Sequence, residues 1–250
     1  DRKKGQTSLF DLISDESEDT DYYPPLPAIE DWSYLHQLDM EKAVLGFYMS
    51  GHPLFEYRAM LKYLCTADSS SGKSKSGEMY LVGIVSNISK KKDNRGNPMA
   101  FIEMEDLSGK FEVPLFNRDY ESYLPLMEVG RVFLVYGTRS QFNGNDDGLL
   151  RVMPKAMLPF ENLARELRGT LKIRLNQSQV KKGLLLELTR RLKQSSGLVK
   201  LQVEAQASDD DYYLLEAGNG LYPDNSILQW LDAQKLDFSL DCVVSDVKNA

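Results

Sequence analysis

The sequence predicts an α+β chain of several domains, and three observations carry that expectation. Apolar residues repeat with helical spacing between positions 31 and 66, then switch after Met79 to the alternation of strands. Two stretches poor in core-forming residues interrupt the pattern: SDESEDTDYYPPLP from Ser14, with five acids and three prolines, and SSSGKSKSG from Ser69. Both read as solvated linkers. Beyond the second, three strands, a helix and two more strands fall within about 80 residues, and a β-α-β-β-α-β series follows.

Residues 1–30 are expected to form an acidic flexible segment and 31–66 a helical hairpin. In the hairpin, Asp31 caps a helix whose Leu35, Leu38, Leu45 and Tyr48 share a face. Gly51 and Pro53 stop it, and Pro53 opens a second helix carrying Leu54, Tyr57, Leu61 and Leu64 at i, i+3, i+7 and i+10. Residues 67–78 are the linker. In 79–160, strands are predicted over 80–89, 99–105 and 110–116, a helix over 117–127, and strands over 131–139 and 148–153. That is the element order of an OB-fold, a five-stranded partly open barrel. Alternation turns Ile102 and Met104 inward and leaves Phe101 outward.

Residues 161–250 are expected to form a small C-terminal α/β tail domain. A strand over 170–175 leads to a helix capped by Asn176, with Val180, Leu184, Leu188 and Leu192 on one stripe. Strands over 198–205 and 212–217 follow, joined by a turn at 208–211. Pro223 opens a short helix through Ile227, Trp230 and Leu231, and 238–244 is the last strand. The order describes a split βαβ unit.

Composition narrows the function classes. Hydrophobic residues make up 42% of the 250, enough for ordinary cores. No apolar stretch approaches the roughly 18 residues of a membrane span. With only Cys65 and Cys242, and no CxxC, neither a disulfide framework nor a thiolate metal site is expected, which suits a reducing cytosol. The sequence opens without Met and without a signal segment, and is expected to be a fragment of something longer. The net charge of −7 is local: residues 1–31 hold nine acids against Arg2, Lys3 and Lys4, which leaves −1 for the remainder.

Three constellations bear on chemistry. Gln6-Thr7-Ser8-Leu9-Phe10 sets a Leu-Phe pair on polar chain, suited to docking in an apolar pocket of another protein, or else belonging to a preceding domain. Lys90, Lys91, Lys92 and Arg95, against Asp93, fall in the first loop of the barrel. They would track a single-stranded phosphate backbone, with Phe101 and Phe116 as stacking platforms, or form a solvated hairpin. Residues 80–160 hold ten basic and ten acidic residues, with Asp146 and Asp147 in the other binding loop, so any such affinity is expected to be modest and salt-sensitive. Glu103, Glu105 and Asp106 lack the second acidic strand of a two-metal site and read as a solvated strand face. Asp209, Asp210 and Asp211 read as a turn, and His36 and His52 as packing or capping residues. No catalytic or metal-ligating residue is predicted.

The decapeptide LGFYMSGHPL, Leu45 to Leu54, closely resembles the LG-(F/L)-Y-x-(S/T)-G-H-P-(L/I) segment of bacterial DNA polymerase III alpha subunits, the C family of replicative polymerases. The resemblance extends in order, from the GQxSLF clamp-binding peptide at Gly5 to Phe10 to Arg95-Gly96-Asn97, Glu105-Asp106-x-Ser108-Gly109 and Phe111-Glu112-Val113 through Leu115-Phe116. The region from Leu171 looks like that family's tail domain, which binds the tau subunit of the clamp loader. This implies a non-catalytic C-terminal part of such a subunit. Gln6, Leu9 and Phe10 would tether it to the sliding clamp (beta subunit), the OB-fold would contact single-stranded DNA, and the tail would meet tau. Synthesis, with the magnesium expected for the parent DNA-directed DNA polymerase, would belong to carboxylates upstream, with no cofactor in this chain. A free-standing OB-fold single-strand DNA-binding or adaptor protein is the alternative, and it leaves the decapeptide unexplained.

Overall fold

The computed structural model describes residues 31–74, 76–140, 148–192, 195–208, 211–216 and 220–244. The chain divides into two compact units, the first ending at Tyr48 and the second beginning at Met49. The first contains α1 (Tyr34–Leu45). Ser33, rather than the expected Asp31, caps it: the Ser33 Oγ accepts the His36 backbone N–H at 3.3 Å. Gly46 ends it at φ 82°, a conformation that costs glycine little, and donates its N–H to the Lys42 carbonyl. Tyr48 therefore lies beyond the helix whose face it was expected to share.

The second unit opens with a tight 3₁₀ turn, Pro53–Tyr57, that runs into α2 (Arg58–Leu64). His52 is the cap expected of it, its Nδ1 accepting the Leu54 N–H at 3.1 Å. The barrel follows: β1 (Glu78–Lys92), β2 (Pro98–Asp106), β3 (Gly109–Phe116), α3 (Asn117–Tyr123), β4 (Val132–Arg139) and β5 (Leu150–Pro159). The strands close in the order β1-β2-β3-β5-β4, a five-stranded OB-fold barrel. Closure depends on β1, whose first half pairs with β4 as far as Ile84 and which pairs with β2 from Ile84 onward, across an irregularity between Val85 and Asn87.

Two barrel strands run at least three residues past their predicted ends. β5 continues to Pro159 because Met157 and Leu158 pair with Val135 and Leu134 of β4. β1 continues to Lys92, opposite Pro98, so Lys90, Lys91 and Lys92 are strand residues, and the loop itself is only 93–97. Alternation fills the barrel with Leu81, Val85, Ile102, Met104, Phe111, Val113, Phe133 and Val135, all fully buried. Val82 and Ile84 of β1, Leu134 of β4 and Leu158 of β5 point out of the barrel into a second core shared with α2 and the C-terminal sheet.

That sheet is built from β6 (Leu167–Leu175), which follows the single turn of α4 (Leu163–Glu166), then α5 (Gln177–Lys181), α6 (Leu184–Leu192), β7 (Leu198–Gln206), β8 (Tyr212–Glu216), α7 (Asn225–Ala233) and β9 (Asp237–Val244). Its order is β8-β7-β6-β9. β7 lies directly beside β6 and parallel to it, so the first crossover is unsplit, a correction to part of the expected arrangement, whereas β8 and β9, joined through α7, run parallel at opposite edges with β7 and β6 between them. The single helix expected after Asn176 is also corrected. A capping box of Asn176 and Gln179 starts α5, and Gly183, at φ 76°, breaks the chain before α6.

α2 has no side-chain cap of its own, since Tyr57 provides none. Asn225, at the start of α7, supplies it across the core: its Oδ1 accepts the N–H groups of Ala59 at 3.0 Å and Met60 at 3.2 Å. Asp232, two turns on, accepts from the Tyr63 hydroxyl at 2.6 Å and the Lys62 ammonium at 3.0 Å. Replacing Asn225 by Ala strands two helix N-terminal donors, so we expect Asn225→Ala to lower stability by about 1–2 kcal/mol in urea unfolding monitored by circular dichroism. An unchanged midpoint would show that water caps α2 equally well.

Candidate nucleic-acid interface

The second core covers the β1-β4-β5 side of the barrel, and the outer face of β2 and β3 is left half-buried to exposed except at Pro114, which is buried. Register divides this face into rows. Lys91, Met99 and Phe116 lie side by side; then Ser89, Phe101 and Pro114; then Asn87, Glu103, Glu112 and, from β5, Arg151; then Glu105 and Lys110. Aromatic and basic residues occupy one end, and carboxylates the other.

At the aromatic end, the Phe101 and Phe116 rings meet edge to face with centroids 6.3 Å apart. The Lys91 Nζ stands 5.1 Å from the Phe101 centroid. Both rings are half-buried. The basic cluster divides across the sheet. Lys91 shares the aromatic face, whereas Lys90 and Lys92, opposite Ala100 and Pro98, alternate to the other. Arg95 sits in the turn. Asp93, the acid among these cations, is tied to that turn: its carboxylate accepts the N–H groups of Arg95 and Asn97, both at 2.8 Å, and the Asn97 amide at 2.9 Å. The Asn97 amide, helped by these N–H groups, holds the Asp93 carboxyl below its ordinary range.

At the other end, Glu103 accepts the Lys110 ammonium at 2.8 Å, and Glu112 accepts the Arg151 guanidinium at 2.9 Å. The Glu103 bond raises the Lys110 pKa above its usual value. Asp106 turns inward and is buried; its carboxylate accepts the Ser69 N–H at 2.6 Å, the Ser69 hydroxyl at 2.7 Å, and the N–H groups of Ser108 and Gly109 at 2.8 and 3.0 Å. It closes the β2–β3 turn and fastens the preceding linker to it. Glu103 and Asp106 thus have separate occupations, and among the described residues no group of three or more His, Cys, Asp or Glu is placed to hold a metal ion.

Sequence reasoning missed Lys110, Glu112 and Arg151. The parity of β3 carried the signal for the first two, but the parallel pairing of Glu112 with Arg151 joins distant segments that no local pattern links. Gln6, Leu9 and Phe10, and Asp146 and Asp147 of the second loop, lie outside the described residues, as does part of the Asp209 to Asp211 turn. No helix among the described residues is long and apolar enough to cross a membrane.

Residues 80–157 match a family described as an OB-fold nucleic acid binding domain. The chain is homologous over most of its length to proteins named DNA polymerase III subunit alpha. That of Aquifex aeolicus (strain VF5) is 31% identical over 184 residues, 73% of this chain and 14% of the relative. That of Borreliella burgdorferi is 27% identical over 248 residues, 97% of this chain and 21% of the relative. The chain therefore spans about a fifth or less of these relatives. Among solved structures, the mitochondrial single-stranded DNA binding protein Rim1 of S. cerevisiae aligns with 34% of this chain and 96% of its own, at 14% identity and a TM-score of 0.27, too slight a likeness to argue from.

Asp106 makes the fastening of the β2–β3 turn testable. Removing its carboxylate leaves four donors around a buried site, so Asp106→Ala should destabilise the chain by about 3 kcal/mol in denaturant unfolding. A loss below about 0.5 kcal/mol would mean that water replaces those bonds at little cost.

Proposed function

We propose that this chain is a non-catalytic C-terminal part of a replicative DNA polymerase III alpha subunit, in which the OB-fold barrel contacts single-stranded template. One observation carries the reading: in a chain homologous to that subunit, the uncovered barrel face sets Lys91 over the Phe101 ring, which meets Phe116 edge to face. Cation and π surface together suit a sequence-tolerant contact, phosphate to ammonium and base to ring. Gln6, Leu9 and Phe10 would dock on the sliding clamp. The tail would meet the tau subunit of the clamp loader, which is supported by the apolar surface it exposes at Tyr212, Tyr213, Leu214 and Leu215 on edge strand β8. In this reading the magnesium of the parent polymerase belongs to carboxylates upstream, and no cofactor is assigned to this chain.

Division of the basic cluster sharpens the expected salt dependence. Lys91→Ala should flatten the log-log salt slope of oligo-dT binding by about 0.7, more than Lys90→Ala or Lys92→Ala. Phe101→Ala or Phe116→Ala should cost about 1–3 kcal/mol each while leaving the slope nearly unchanged. Fluorescence anisotropy across a salt series reads both quantities. A slope indifferent to Lys91 would leave the cluster as a solvated hairpin. For the clamp, Leu9→Ala with Phe10→Ala should cost about 2–4 kcal/mol of calorimetrically measured affinity, and an unchanged affinity would remove the peptide from the interface.

A further inference from the structure

We infer that Glu103 is a specificity-determining residue that ends the single-strand path, confining nucleic acid to the aromatic end of the β2–β3 face. The inference rests on the reading of that face as a single-strand contact.

Glu103 and Glu112 stand directly opposite each other on adjacent strands. Like charges so placed are destabilising, and they are held here by two cations. Lys110 lies 2.8 Å from the Glu103 Oε1, and Arg151 lies 2.9 Å from the Glu112 Oε1. The Glu103 Oε1 also accepts the Ser86 hydroxyl at 3.0 Å. Both cations lie on or beside the face that carries Phe101, where they would otherwise lengthen a phosphate path. They are bound instead to carboxylates.

Spacing gives the consequence. Glu103 follows Phe101 by two residues on the same face, about 7 Å along the strand. A third of its side chain is exposed. A strand stacked on Phe116 and Phe101 and continuing toward Glu105 would bring its next phosphate against a carboxylate. Continuing instead toward Lys91 and Arg95, it meets cations. The face thus has a closed end as well as an open one, and its contact is short.

The test is a double-mutant cycle on the full 250-residue chain, with oligo-dT binding followed by anisotropy from low to moderate salt. Glu103→Gln, which keeps the side-chain shape and an acceptor for Ser86, is expected to tighten binding about three- to tenfold at low salt and to steepen the slope by about 0.7 as Lys110 turns to phosphate. Lys110→Gln alone is expected to change affinity by less than about twofold, and in the Glu103→Gln background to abolish the gain. Thermal melting verifies folding, and Glu103→Thr, a good strand former, replaces the Gln variant if that does not fold. Unchanged or weakened binding by a folded Glu103 variant overturns the inference, as does a flattened slope from Lys110→Gln alone. Absence of oligo-dT binding by the unaltered chain at low salt would overturn the underlying reading instead, which separates the two failures.

Discussion

The architecture depends on β1 being apolar on both faces. Leu81 and Val85 fill the barrel, while Val82 and Ile84 leave it to join Leu134 and Leu158 in the core shared with α2 and the C-terminal sheet. Each such side chain, fully removed from water, contributes about 1.5–3 kcal/mol, so four of them commit one side of the barrel to internal packing. The sheet surface left to solvent is then the β2–β3 side. Its availability follows from where the apolar residues went, before any property of its own is considered.

What that surface can do is set by register more than by composition. The barrel segment holds as many acids as bases, and a uniform mixture would offer little to a polyanion. Antiparallel pairing sorts the charges. It places Lys91 beside Phe101 and Phe116, and it gathers Glu103, Glu112, Lys110 and Arg151 into ion pairs further along. A one-residue slip of β1 would bring Lys90 and Lys92 to the aromatic face in place of Lys91. The irregularity between Val85 and Asn87 fixes which lysine is presented, because it sets one extra residue of β1 against β2: Val85 faces Met104 and Asn87 faces Glu103.

The sequence carried whatever depended on local periodicity. Ile102 and Met104 were legible as interior and Phe101 as exterior, and the order of strands and helices through the barrel and the tail could be read from apolar spacing. What could not be read depended on distant partners. β1 continues through three lysines because 98–100 lies across from them. The cap of α2 comes from Asn225, 166 positions along the chain from Ala59. Arg151 reaches Glu112 only through the parallel β3–β5 pairing. The break at Gly183 was hidden by a leucine stripe that spans it, since an apolar period persists even where the backbone does not.

The account's central claim is that single-stranded nucleic acid lies on one end of one barrel face. Amide chemical-shift mapping of the chain with a short oligo-dT tests it most directly, because it locates contact without altering a residue. The account predicts shifts concentrated at Lys91, Arg95, Met99, Phe101 and Phe116, fading by Glu103 and Glu112, with the β6–β9 sheet unaffected. Shifts centred on Glu103 to Lys110, or on the C-terminal sheet with the aromatic row unmoved, would contradict it.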